Sequence, residues 1–363
     1  MNSTTAWNFA AGPARLPDAV LERARDSLFA RGVDGASALE RPFTGDAFRA
    51  TLHSARERLA QLLELPAGYR ILFLAGGAMH QFALVPMNLL GGARRAAYAD
   101  SGYWAQRAIA EARRYCEAVA APGFAGDAPL AAPPAGRWDL PADCAYCHIT
   151  PNETVDGLAY PALPDTGDIP LVADATSCLL TAPLDVARFG LLYASAQKNL
   201  GVAGLCVLVV REDLLERAAP AVPAALNYRR QAEADSCLNT PPTLAIHLAG
   251  LVFEWIAEAG GLAAMGAANR RKAATLYAAI DGSGGFYRAP VAAAHRSPVN
   301  VRFHLADDAL TEPFLAAAAA RGLHHLRGHR QVGGLRASLY NAMPQAGADA
   351  LADFMAEFAR AHA

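Results

Sequence analysis

The chain has 363 residues, enough for one large domain and a smaller one. Hydrophobic residues make up 53% and charged residues 18%, so a sizeable core can be buried. A formal net charge of −2, without a long run of either sign, argues against a nucleic-acid or membrane-surface protein. No apolar stretch reaches the length of a membrane span, and MNSTTAWNFAAGPARLP lacks a basic-then-apolar leader, so the expected home is the cytoplasm.

In chain order, helical periodicity opens at residues 17–30, with Pro17 placed as the first helical residue, and resumes in DAFRATLHSARERLAQLLEL. A strand, YRILFLA (69–75), breaks at Gly76-Gly77 and passes into the helix pattern AMHQFALVPMNLL. RAAYAD (95–100) is followed by the helix pattern YWAQRAIAEARRY, and ADCAYCHIT (142–150) reads as a buried strand. Between them, residues 121–141 are rich in Gly, Pro and Ala and read as a surface excursion. Cys144 and Cys147 form a CxxC in that buried strand; three residues apart they are expected on opposite faces, a poor geometry for sharing a metal. We expect no metal, and the six cysteines read as reduced core thiols.

IPLVADA (169–175), GLLYASA (190–196) and GLCVLVV (204–210) are short apolar runs separated by loops. Such runs alternating with helices favour a mainly parallel sheet covered on both faces. The helix pattern at 243–261 ends on Gly260-Gly261, a natural boundary. Beyond it come a helix (262–280), a strand (298–305), a helix (311–322), a strand (334–340) and a final helix over about 346–361. That alternation reads as a small α+β unit.

Four features bear on chemistry. Lys198, in YASAQKNLG, stands among small neutral residues just before a buried strand. A buried ammonium is costly unless paired, and lysines so placed are used for Schiff bases; a strand-end lysine reaching to water fits the same window. Asp174 ends an apolar strand at the edge where open α/β sheets bind ligands, although an acid there also caps helices. Backbone N–H groups after Gly76-Gly77 can cup a phosphate, yet the turn is neither a Walker loop nor a dinucleotide fingerprint. Trp104 follows a strand end and can stack on a planar ring or fill the core.

Together these stretches, with ITPNETVDGL (149–158), LNTPPT (238–243) and RGHRQVGGLRASLYNAMP (327–344), resemble the phosphoserine aminotransferase family along almost the whole chain. The resemblance implies a fold-type-I α/β transferase that binds pyridoxal 5'-phosphate. Its large domain, residues 16–260, has a mainly parallel seven-stranded sheet, and residues 1–15 with 261–363 form the small α+β domain. It further implies a homodimer with shared active sites and small-molecule amino-acid and 2-oxo-acid substrates. Lys198 matches the lysine that carries the cofactor as a Schiff base, Asp174 the partner of the pyridinium nitrogen, Trp104 the stacking ring and Thr154 a hydroxyl beside the phenolic oxygen. Gln197 and the backbone at Ala78 and Met79 match phosphate ligands, and Asn239 and Thr240 match phosphate ligands from the other subunit. Arg336 matches the arginine for the substrate α-carboxylate, while His329 and Arg330 match residues that meet the distal anion of the neighbouring subunit's substrate.

The implied reaction converts phosphoserine and 2-oxoglutarate into 3-phosphooxypyruvate and glutamate, with a phosphorylated hydroxythreonine as a second substrate. The chain also departs from the pattern. Where the family usually has Ser-His-Arg-Gly, this sequence reads ERPFTGDAF (40–48), so Thr44 takes the position of a distal-anion arginine and Phe43 that of a histidine. Arg41 is the nearest replacement if the loop shifts register. Ala78-Met79-His80 replaces a Gly-Arg-Gly type sequence at the cup, and Ala11 stands where a serine is common. These departures leave open a paralogue acting on a less anionic acid.

Overall fold

The computed structural model describes residues 6–123 and 129–362. Seven strands form the central sheet: β1 (Tyr69–Ala75), β2 (Arg95–Ala99), β3 (Glu117–Ala121), β4 (Cys144–Ile149), β5 (Leu171–Asp174), β6 (Leu191–Ser195) and β7 (Leu205–Arg211). Their order is β1-β7-β6-β5-β4-β2-β3; β7 runs antiparallel to both neighbours and the remaining pairs are parallel. Nearly every residue of β5, β6 and β7 is buried, as unbroken apolar strands require when both faces are covered.

Alternation divides the side chains between two cores. Ile71, Phe73, Val207 and Val209 pack with Leu52 and Leu59 of helix α2 (Asp46–Leu62) and with Ile246 and Phe253 of α6 (Thr243–Glu258). Leu72, Leu74, Leu208 and Val210 pack on the opposite face with Phe82 and Val85 of α3 (Ala78–Leu89) and Ala108 of α4 (Tyr103–Ala112). The helix predicted at 17–30 is α1 (Asp18–Phe29), with Pro17 at its N-cap rather than inside it. A short helix, α5 (Tyr228–Glu233), precedes α6.

Beyond α6 the chain turns by 83° into α7 (Gly261–Asp281). Among the described residues no single helix is long and apolar enough to cross a membrane. Strands β8 (Tyr287–Arg288), β9 (Asn300–Leu305) and β10 (Leu335–Ser338) form a second, antiparallel sheet. Helices α8 (Thr311–Ala320) and α9 (Gln345–His362) pack on it through Phe314, Leu351 and Phe358. Phe9 joins this core, and Trp7–Asn8 pairs in parallel with Leu323–His324.

Two expectations need correction. Cys144 and Cys147 do not face opposite ways. A bulge sets three residues of β4 against two of β2, pairing Arg95 with Cys144 and Ala97 with Cys147, so both thiols enter the same core while Ala145 and Tyr146 enter the other. Both remain free thiols, their pKa raised chiefly by burial. The stretch 121–141, part of which (124–128) lies outside the described residues, is more than a surface excursion: Leu130 bridges to Val291 and Trp138 is buried.

Candidate active site

Every residue that the sheet contributes lies at or just past the C-terminal end of a strand, the edge at which open α/β sheets bind ligands. Asp174 ends β5 and pairs in register with Tyr193 of the adjacent β6. The turn after β6 carries Gln197 and Lys198, Gly77 and Ala78 follow β1, Trp104 follows β2, and Thr150 to Thr154 follow β4. These loops enclose a cavity of about 270 Å³ lined by Ala78, Met79, Trp104, Thr154, Asp174, Gln197 and Lys198. Seven of the residues singled out in the sequence therefore meet in one cavity.

Lys198 is buried, and its Nζ donates to Thr154 Oγ1 at 2.6 Å. That amine also lies 6.0 Å from the centre of the Trp104 ring. The N-terminal segment lies against this turn. Gly12, at φ +146°, would place a Cβ 3.5 Å from Gln197 and 3.6 Å from Lys198, and Ala14 N–H donates to the Gln197 carbonyl. Asp174 is buried and accepts from Thr176 N–H at 3.0 Å. Burial raises its pKa above the usual aspartate value, opposed by the Thr176 hydrogen bonds and by Lys198.

The opposite end of the cavity suits an anion. The N–H groups of Ala78 and Met79, in the first turn of α3, find no acceptor among the described residues. Gly77 N–H is turned onto His80 Nδ1 at 3.1 Å, so His80 caps its own helix. Ser195 Oγ donates to Gln197 Oε1 at 2.5 Å, which leaves the amide NH₂ of Gln197 free to donate. Trp104 Nε1 is buried without a partner among the described residues. A buried amine, a buried carboxylate, free helix-start amides and a flat aromatic ring in one cavity fit a planar phosphorylated cofactor with a carbonyl and a basic ring nitrogen.

Arg336, on β10, approaches from the second sheet; its Nη1 donates to the Thr154 carbonyl at 3.3 Å. Burial lowers its pKa from the usual arginine value. His329 lies against Tyr103, ring centres 4.8 Å apart, where Arg336, Arg330 and Asp156 act on its charge. Asn239 and Thr240 are not brought to this cavity; they line a separate one with Phe73, Leu74 and Leu84. Thr44 is exposed, and Phe43 packs against the sheet core. Arg41 is held on α2 by Thr51 Oγ1 at 3.2 Å. None of the three lines the Lys198 cavity.

Residues not singled out in the sequence complete the site. Glu153, fully buried, accepts from the N–H groups of Trp104 and Ala105 at 3.0 and 2.8 Å, and Asp156 accepts from Tyr103 N–H at 3.0 Å. Two carboxyl groups from the loop after β4 thus hold the start of α4, and with it Trp104. Asn152 bonds Ser177 and Asn300, tying that loop to the second sheet. The signal available in the sequence was the acid spacing in NETVD, which by itself resembles any polar loop.

The family model described as "Aminotransferase class-V" matches residues 6–351, and the chain belongs to this family. It is therefore built as an aminotransferase. Among its relatives, the phosphoserine aminotransferase of Acidithiobacillus ferrooxidans is 49% identical over 358 residues, 99% of each chain. That of Pseudomonas aeruginosa is 48% identical over 360 residues, again 99% of each. The solved phosphoserine aminotransferase from Bacillus circulans subsp. alkalophilus superposes with a TM-score of 0.96 at 42% identity, covering 99% of this chain and 100% of its own. A structure described as the PLP-bound enzyme from Trichomonas vaginalis superposes at 0.88 with 37% identity, covering 97% and 100%.

Proposed function

We propose that this chain is a pyridoxal-phosphate-dependent aminotransferase that takes phosphoserine as amino donor and 2-oxoglutarate as acceptor. The observation that carries the reading is the convergence of Lys198, Thr154, Asp174, Trp104 and the free amides of Ala78 and Met79 in one cavity. Full-length relatives of that name at 48–49% identity support it. When bound, the cofactor supplies an electron sink for the carbanion formed as the donor loses its Cα proton.

The chain's residues divide the remaining work. Lys198 would hold the cofactor covalently, and its amine is the base that would move a proton away from the donor's Cα. Asp174, shielded from water, would pair with the ring nitrogen and keep a proton on it. The amides of Ala78 and Met79 and the Gln197 NH₂ bind the phosphate, and Trp104 orients the ring. Arg336 offers a fork to the substrate α-carboxylate. His329 and Arg330 would serve the distal anion of the neighbouring subunit's substrate.

We further propose a homodimer, in which Asn239 and Thr240 complete the phosphate site of the partner subunit; their distance from this chain's own cavity supports that reading. We place the reaction in the cytoplasm, where the six free cysteines would remain reduced. Mixing the cofactor-loaded enzyme with single amino acids tests the assignment. Phosphoserine should bleach the imine absorption within turnover time, and Lys198→Ala should abolish the change. Conversion by uncharged amino acids with phosphoserine inert would overturn the substrate reading.

A further inference from the structure

Arg302, on β9, is the direct cross-strand partner of Arg336 on β10. Partners of this kind carry their Cβ atoms about 5 Å apart on one face, where two like charges repel. Arg302 is buried, only 9% exposed, and Arg336 is half-buried. Among the described residues, no carboxylate lies within 4.0 Å of either one, although nineteen ion pairs form elsewhere in the chain. Arg302 Nη2 donates to the Val332 carbonyl at 3.0 Å and contacts His304 Nε2 at 3.1 Å, and its buried Nε has no partner among the described residues. A buried cation without an anion is costly, and here a second, half-buried one shares its face.

The two heads also diverge. Arg336 turns to the Thr154 carbonyl beside Lys198, whereas Arg302 turns towards Val332 and His304. The nearby groups are Asp156, which holds Tyr103 N–H, and His329, which lies on Tyr103. Arg302 is seated by its stem: Gly157, at φ +72°, would set a Cβ 2.8 Å from Arg302 Cβ, so the loop after β4 closes on it. A short acid with anions at both ends would give each guanidinium a counterion.

Building on the aminotransferase reading, we infer that Arg302 is a specificity-determining residue that binds the distal anion of the substrate while Arg336 holds the α-carboxylate. The cation that Thr44 does not supply is thus provided from within the same subunit, by the strand next to Arg336.

Titration of the cofactor-loaded enzyme with two unreactive acids, 3-phosphoglycerate and glycerate, tests this without turnover. Arg302→Met keeps the packed stem and removes the charge. It should narrow the ratio between the two dissociation constants by about tenfold or more, the loss expected for a charge-assisted fork. Arg302→Lys, which keeps the charge but not the fork, should fall between, and serves alone if the methionine variant does not fold. Equal weakening of both ligands would reduce Arg302 to a structural role, and an unchanged ratio in either variant would overturn the inference. A wild-type enzyme that binds 3-phosphoglycerate over glycerate yet does not convert phosphoserine would instead sink the functional reading and leave Arg302 in place.

Discussion

Glu153 shows how a single residue can carry a site without touching its chemistry. Burial, with Asp156 alongside, pushes its carboxyl up to about 8 from 4.5, against the pull of the Ala105 and Trp104 N–H groups. Because the folded chain holds this proton more tightly than the unfolded one, the contribution of Glu153 to stability falls as pH rises from about 4.5 to about 8. Glu153→Gln should remove that part of the pH slope in denaturant titrations. The amide has only one acceptor for two N–H groups, so the variant should also lose about 1–2 kcal/mol and the near-ultraviolet signal of Trp104 should broaden. An unaltered slope would show that another group titrates. The nearby His148 is the converse case: burial alone lowers it to about 3, so it serves as a neutral partner of Tyr193.

Elements in this chain are fastened by polar contacts that hydrophobic patterning does not reveal. Lys272 of α7 is fully buried, and its Nζ donates to the carbonyls of Leu339, Tyr340 and Met343, each at 2.8 Å. Three short contacts use all three hydrogens of an ammonium, which they stabilise against the opposing effect of burial. Asn269, about one turn earlier on the helix face, bonds Asn341, whose N–H meets Asn199, the neighbour of Lys198. The turn behind Arg336 is therefore clamped to α7 and to the lysine loop. Lys272→Met should cost on the order of 3 kcal/mol in urea unfolding, since it leaves three carbonyls without donors. A loss below about 1 kcal/mol would mean that water takes over the carbonyls. The bulge in β4 belongs to the same scale: one extra residue reverses the facing of Cys144, and nothing in the local pattern announces it.

At the scale of the molecule, the sheet edge collects loops from distant parts of the chain, and the second sheet brings Arg336 and Arg302 over them. The separation of Asn239 and Thr240 from this cavity makes an experiment on the assembly decisive. Lys198→Ala and an Asn239→Ala/Thr240→Ala double variant should each be nearly inactive alone. Mixed, refolded and exchanged, they should regain activity, because some dimers would contain one site with every residue native; no recovery on mixing would place these residues within their own subunit. Much of this organisation was legible in the sequence. Unbroken apolar runs must be buried on both faces, which foretells the mainly parallel sheet, and a lysine among small neutral residues before a buried strand points to the buried amine found there. The bulge, the carboxylates that hold α4, and the facing of Arg302 to Arg336 depend on register between strands far apart in sequence. Periodicity determines which face of a strand is buried; only tertiary pairing decides which charges are left opposite one another without a counterion.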